Sequence, residues 1–226
     1  MYTMYKRQIC QSNFTAYMFL NYCIRKLHEF YYYSKPISKG TTWLGFRIKK
    51  YPTDCWIYQE IIFQSKPDVI IECGTKFGGS ALYFATILDA VGGGRVLTID
   101  IQKKPDLPAH PRVTYITGSS IEKSTFEKVK SLIKNIDKVM VVLDSDHHKD
   151  HVLKEMELYG SLVKKGFYLI VEDTNQTILA QVKGYGPGPD KAVKEFLKTH
   201  KEFIIDKKRE KFLITTNPDG YLLRVE

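Results

Sequence analysis

The chain has 226 residues, 43% of them hydrophobic, and a formal charge of +9, enough for one large domain with a proper core or one domain with an appendage. No apolar run approaches the roughly 20 residues needed to span a bilayer. The four cysteines, Cys10, Cys23, Cys55 and Cys73, form no C-x-x-C pair, which argues against a zinc ribbon and for a reducing compartment. The N-terminus lacks a signal-peptide pattern, so a cytoplasmic location is expected. The basic charge is spread over loops and helical segments, which attracts anionic groups without selecting one; no nucleic-acid partner is expected.

In chain order, residues 13–33, "NFTAYMFLNYCIRKLHEFYYY", read as a helix rich in Tyr and Phe, ended by Pro36 and Gly40. So many aromatics predict burial against the core or a second copy of the chain, with peripheral membrane contact as the alternative. "DCWIYQEIIFQ" (54–64) is a helix that Thr53 or Asp54 can cap. From residue 66 onward strands and helices alternate. Strands are expected at "DVIIECG" (68–74), "RVLTID" (95–100), "RVTYITG" (112–118), "KVMVVLD" (138–144) and "FYLIVED" (167–173). Helices are expected at 80–91, 122–134, 147–163 and 190–200. Repeated β-α units with continuous apolar strands imply a parallel sheet covered on both faces. The end differs: "EFIIDKK" and "KFLITTNPDGYLLRVE" leave no room for a helix between them and read as an antiparallel pair.

Two places carry chemistry. "ECGTKFGGS" (72–80) joins the first of these strands to its helix, where glycines permit a tight turn and a close approach to a ligand. Asp100 ends the next strand, where an acid can accept from both ribose hydroxyls of an adenosine cofactor. The G-x-G-x-x-G fingerprint of dinucleotide binding is absent, and Glu72 would repel a pyrophosphate. An amine and a sulfonium suit Glu72 better, so S-adenosylmethionine fits better than NAD. An NAD(P)-dependent oxidoreductase and a non-catalytic cofactor-binding partner protein are the alternatives.

The second place is "VVLDSDHHKD" (141–150). Ligands of parallel α/β sheets bind at the carboxyl ends of strands. Asp144 ends one strand and Glu172 and Asp173 end its expected neighbour. Three converging carboxylates call for a divalent cation, and oxygen ligands suit magnesium. The rival is a two-histidine, one-carboxylate iron site from Asp146, His147, His148 and His151. It draws no ligand from another strand, and His148 and His151 read more simply as helix-surface residues. His147, three residues past Asp144, can reach over the ion and take a proton; Asp146 is the alternative base.

The stretches "TTWLGFRIKKYPTDCWIYQEIIFQSKPDVIIECGTKFGGSALYFATILDAVGGGRVLTIDI", "LDSDHHKDHVLKEMELYGSLVKKGFYLIVEDT" and "REKFLITTNPDGYLLRV" together resemble the cephalosporin hydroxylase / rhamnosyl O-methyltransferase family, from about Thr41 to Val225. The resemblance implies an α/β, Rossmann-like class I methyltransferase fold. That fold is a seven-stranded, mostly parallel sheet with an antiparallel last strand and helices on both faces. The methyltransferase domain is expected over 41–226, and the first forty residues, outside the match, form the N-terminal aromatic helical extension over 1–40 read above. The resemblance also implies S-adenosylmethionine and Mg2+ as cofactors, and O-methylation of a hydroxyl on a sugar, glycan precursor or related small molecule.

Carried over residue by residue, the metal ligands fall on Asp144, Glu172 and Asp173. The cofactor loop falls on Glu72, Gly74, Thr75, Gly78, Gly79 and Ser80, with Asp100 at the ribose. "TGSS" (117–120), with Gly118 and Ser119, borders the adenine. The metal arrangement is also similar to that of catechol O-methyltransferases. There a lysine three residues past the first aspartate is the base; His147 stands at the matching position.

Overall fold

The computed structural model describes residues 14–34, 37–102, 104–175 and 186–226. Helix α1 (Phe14–Ser34) and the single turn α2 (Ile37–Gly40) lead to a small hairpin, β1 (Thr42–Trp43) and β2 (Phe46–Arg47). Then follow α3 (Pro52–Ser65), β3 (Val69–Cys73), α4 (Gly79–Val91), β4 (Arg95–Asp100), β5 (Val113–Thr117) and α5 (Lys123–Ser131). The second half runs β6 (Val139–Leu143), α6 (Lys149–Gly160), β7 (Tyr168–Val171), α7 (Pro189–Thr199), β8 (Phe203–Ile205), a 3-10 turn (Lys207–Glu210) and β9 (Tyr221–Arg224).

The seven strands order β5-β4-β3-β6-β7-β9-β8, parallel from β5 through β7. β9 runs antiparallel to both its neighbours. Every residue of β3, β6 and β7 is buried, as a sheet covered on both faces requires. Alternate residues go to opposite faces. Val69, Ile71, Val139 and Val141 pack with Val152 and Met156 of α6 and Phe196 of α7. Ile70, Met140 and Val142 pack with Ile57 and Ile61 of α3 and Phe84 and Leu88 of α4.

The closing pair is antiparallel as expected, but the long second segment is strand only over Tyr221–Arg224. Pro218 and the left-handed Asp219 (φ 63°) break it, and Thr216 and Asn217 ahead of them are buried. Neither Thr53 nor Asp54 caps α3. The cap is Tyr51 without a side-chain bond, and Pro52 opens the first turn, where its missing N–H costs nothing. Asp54 is turned inward instead, 1% exposed. It accepts from the hydroxyl of Thr215, from the N–H and hydroxyl of Thr216 at 2.9 and 3.0 Å, and from the Tyr221 hydroxyl at 2.9 Å.

Asn13, the first residue of the expected N-terminal helix, lies outside the described residues. Helix α1 touches the body through His28 and Tyr32, whose rings lie 4.7 and 4.5 Å from that of Tyr51. Phe19, Leu27 and Phe30 are 68–71% exposed in the single chain. Among the described residues, no helix is long and apolar enough to cross a membrane.

Asp54 ties α3 to the segment before β9, so Asp54→Ala strands a buried N–H and three hydroxyls. We expect a loss of about 2–3 kcal/mol in urea unfolding, the scale of an unsatisfied buried group. A variant within about 0.5 kcal/mol of wild type would show that this network holds nothing.

Candidate active site

The site is built by register. Cys73 of β3 pairs with Leu143 of β6, and Leu143 with Val171 of β7. The ladder runs one step past the strands: the Asp144 N–H donates to the Cys73 carbonyl at 2.8 Å and the Glu172 N–H to the Leu143 carbonyl at 3.0 Å. Gly74, Asp144 and Glu172 therefore stand side by side at the carboxyl edge of the sheet. Gly74 has φ +106°, and a Cβ there would lie 2.1 Å from the Asp144 carbonyl oxygen. A Cβ on Gly79 would lie 2.2 Å from the Arg47 carbonyl oxygen, which shows how closely the β2–α3 segment lies on the start of α4. The indole N–H of Trp43 fixes the hairpin to Thr86 of α4 at 3.0 Å.

Between that segment and the glycine turn lies a crevice lined by Ile48, Lys50, Gly74, Thr75, Gly79, Ser80 and Asp144. Gly78 caps α4 against Pro108, while Gly118 and Ser119 lie outside the crevice, past β5. Gly118 joins the edge by donating its N–H to the Asp100 carbonyl at 2.9 Å. The Asp100 carboxylate folds the loops around it. One oxygen accepts the Lys76 N–H at 2.8 Å, the other the Gln102 N–H at 3.0 Å. Glu72 is fully buried; Oε2 accepts from the Thr98 hydroxyl at 2.6 Å and Oε1 has no hydrogen-bond partner. Burial pushes its carboxyl up to about 7, against the downward pull of Lys50 and of the Ser80 and Thr98 hydroxyls.

The acids divide in two. Donor atoms of Asp144, His147 and Asp173 lie within 4.8 Å of one another, with His147 Nε2 3.2 Å from Asp173 Oδ2. Asp173 is left-handed (φ 57°) and donates its N–H to Oδ1 of the fully buried Asn217 at 3.1 Å. Glu172 turns inward. Its Oε1 is paired with the Lys50 ammonium and accepts the Tyr58 hydroxyl at 2.5 Å. Lys50 also reaches Asp144 Oδ2 at 3.2 Å. Burial works to lower the lysine's pKa, but Glu172, Asp144 and Glu72 outweigh it and hold the ammonium well above its ordinary value.

The remaining candidates face elsewhere. Asp146 accepts the His148 N–H at 2.8 Å and pairs with the His148 ring, closing the start of α6. His151 is not the surface residue expected. Its Nε2 lies 3.2 Å from Ser120 Oγ, 3.3 Å from Ser145 Oγ and 3.4 Å from the buried Glu155, whose hydrogen bond raises its pKa. Lys50, Tyr58, Asp54 and Asn217 are the site residues that sequence reasoning passed over.

A family model described as Rhamnosyl O-methyltransferase/CmcI matches residues 35–225. The chain is 38% identical over 204 residues to the Rhamnosyl O-methyltransferase of Mycobacterium bovis (strain BCG / Pasteur 1173P2), covering 86% of this chain and 82% of the relative. It is 35% identical over 202 residues to that of Mycobacterium leprae (strain TN), covering 86% and 87%. Among solved structures, apo CmcI aligns with a TM-score of 0.67 at 22% identity, over 85% of this chain and 78% of that one. CmcI with Mg and SAM aligns at 0.64 and 21%, over 85% and 79%. These two likenesses establish the fold.

Glu72 generates a pH test. Its folded pKa, about 7, exceeds the ordinary 4.5, so the native state holds a proton that the unfolded chain releases. That stabilisation is complete below the unfolded pKa and disappears as pH rises through the folded one. Stability should therefore fall between about pH 4.5 and about pH 7, and Glu72→Gln should remove that component from the difference between urea curves. Superimposable pH dependences for variant and wild type would show that Glu72 does not titrate in this window.

Proposed function

The chain belongs to the Rhamnosyl O-methyltransferase/CmcI family, and from that premise we propose that it transfers a methyl group from S-adenosylmethionine to a hydroxyl of a sugar or glycan precursor, with a divalent cation, Mg2+, at the Asp144–Asp173 acids. One observation carries the reading. The glycine turn and Asp100 on one side, and the Asp144, His147 and Asp173 donors on the other, adjoin at neighbouring strand ends across the Gly74–Asp144 contact. A cofactor pocket and a hydroxyl-binding centre so placed can bring two reactants into line, and that proximity supplies much of the acceleration.

The carboxylates fit the cation: Asp144 and Asp173 are partly exposed, 22% and 16%, which leaves room for the waters that Mg2+ retains, and His147 stands beside them. A bound divalent cation lowers the pKa of a hydroxyl that it touches. Around it, Glu72 offers an unpaired buried oxygen to the amine of the cofactor, and Asp100 the free lone pairs of its carboxylate to the ribose. His147 takes the proton of the acceptor, oriented by Asp173 against its Nε2. The Asp146 carboxylate is committed to His148 and is less well placed as base. The names of the 35–38% identical relatives support a rhamnosyl-type acceptor, and the solved complexes of CmcI with Mg and SAM and of a Bacillus cereus O-methyltransferase with SAH support the cofactors.

Mass spectrometry of glycans incubated with methyl-labelled S-adenosylmethionine should show a gain of one labelled methyl on oxygen, abolished by excess EDTA. Full activity in EDTA would remove the cation. His147→Ala should lower turnover about 10²–10⁴-fold with S-adenosylhomocysteine and Mg2+ affinity retained, as for a positioned base. Loss of Mg2+ affinity in that variant would make the imidazole a ligand instead.

A further inference from the structure

We propose that Arg47, Lys49 and Lys76 form an anion site at the mouth of the crevice, and that this site takes a phosphate group carried by the sugar acceptor. This rests on the methyl-transfer reading above and deepens it, from a sugar or glycan precursor to a phosphorylated one.

The three cations come from two segments. Arg47 ends β2, Lys49 follows two residues on, and Lys76 stands in the glycine turn; all three line the crevice, as does Asp144. The backbone sets them together. The close approach of the Arg47 carbonyl to Gly79 lays the first segment on the start of α4. Lys76 is left-handed (φ 49°), with its N–H fixed on Asp100 at 2.8 Å, and its side chain is exposed. The Arg47 guanidinium lies 4.3 Å from the centroid of the Phe77 ring, and its Nε is buried without a hydrogen-bond partner.

Neighbouring acids do not balance this charge. Asp144 takes Lys50, and Asp100 takes the N–H groups of Lys76 and Gln102. Among the described residues, no carboxylate forms an ion pair with any of the three cations. Lys49 and Lys76 interact directly: burial, then Lys76 and Arg47, hold the Lys49 pKa below its ordinary value, against a weaker upward pull from Asp173. Like charges gathered this closely repel, and an anion between them relieves the repulsion. The amount of charge selects the anion. A cofactor carboxylate brings one negative charge against three positive ones, whereas a phosphate monoester brings about 1.5–2 at neutral pH and three acceptor oxygens. An arginine fork and two lysine point charges suit those oxygens. Since Asp144 lines the same crevice, a phosphate held here leaves the rest of the acceptor beside the acids of the strand ends.

The test is calorimetric titration of the full chain without Mg2+, which pyrophosphate would chelate. Inorganic pyrophosphate should bind the wild type, less tightly as salt is raised, and equally well with S-adenosylhomocysteine present. Lys49→Gln/Lys76→Gln should weaken pyrophosphate binding about 10–100-fold, as loss of charge-assisted bonds does, and leave S-adenosylhomocysteine affinity nearly unchanged. Rhamnose 1-phosphate should bind the wild type more tightly than rhamnose, and the double variant should lose that preference. Competition between pyrophosphate and S-adenosylhomocysteine, or loss of both in the double variant, would overturn the proposal and give the cations to the cofactor's own carboxylate. A wild type that binds no pyrophosphate, or that binds the two sugars equally, would overturn it as well. A wild type that binds pyrophosphate and rhamnose 1-phosphate but no S-adenosylhomocysteine would keep the anion site and retire the methyl-transfer reading.

Discussion

A buried ammonium must be matched by carboxylates, and buried carboxylates at close range must be matched by a cation. Lys50 and the acids of the carboxyl edge meet both demands at once. Glu172 and Asp144 contact the ammonium directly, and Glu72 adds its field from the neighbouring strand. The lysine is not on the sheet at all. It comes from the segment after the small hairpin, so that segment has to be laid over α4 before the edge of the sheet is electrically tolerable. Trp43 on Thr86, the edge-on contact of Trp43 with Tyr83 at 4.9 Å and the close approach of Arg47 to Gly79 are what lay it there. Removing one member of such a set leaves the others as uncompensated buried charge, which costs more than the pair contributes.

Support for Asp173 arrives from the opposite direction in sequence. Helix α3 sends Asp54 to Thr215 and Thr216, which fixes the turn before β9. The next residue, Asn217, then holds the Asp173 N–H and stabilises its left-handed backbone, which aspartate adopts more readily than most residues. One turn further along α3, Tyr58 holds Glu172. A single helix thus sets the two adjacent acids in opposite directions, Glu172 inward and Asp173 outward. The antiparallel β9, which reads as a mere closure of the sheet, brings the Asn217 turn into place.

The legible parts of the sequence are those where one physical rule acts alone. Continuous apolar runs give the buried strands, and the acids Asp144, Glu172 and Asp173 at their ends are legible as a cluster, because burial and period need no partner to be recognised. The illegible parts depend on what lies across a gap in sequence. Lys50 stands in "FRIKK", where a lysine reads as solvated; only its position over the sheet edge, 94 and 122 residues before its partners, makes it central. Asp54 has the residue type and place of a cap, and local reasoning had no means to see Tyr221 behind it. His151 reads as helix surface because its partners Ser120 and Glu155 come from a loop and from the next turn. "KFLITTNPDGYLLRVE" reads as strand, yet Pro218 and the left-handed Asp219 confine the ladder to Tyr221–Arg224.

The two buried glutamates of the edge show how a site keeps some acceptors closed and others open. Both stand at or beside a strand end and both are under 5% exposed. Glu172 takes an ammonium and a phenol on one oxygen. Glu72 has one oxygen satisfied and one bare, and an unsatisfied buried acceptor costs about 1–3 kcal/mol. Its raised pKa is the response to that burial, since a proton on the carboxyl lessens the cost of burying its charge. A ligand that brings a cationic donor to the bare oxygen removes the cost altogether and ionises the acid. Of the two glutamates, Glu72 is the one with an unpaired oxygen, and it stands at the glycine turn. An acceptor left unpaired by the fold thus stands beside the glycine turn, while its ion-paired neighbour ties the sheet edge to Lys50 and Tyr58.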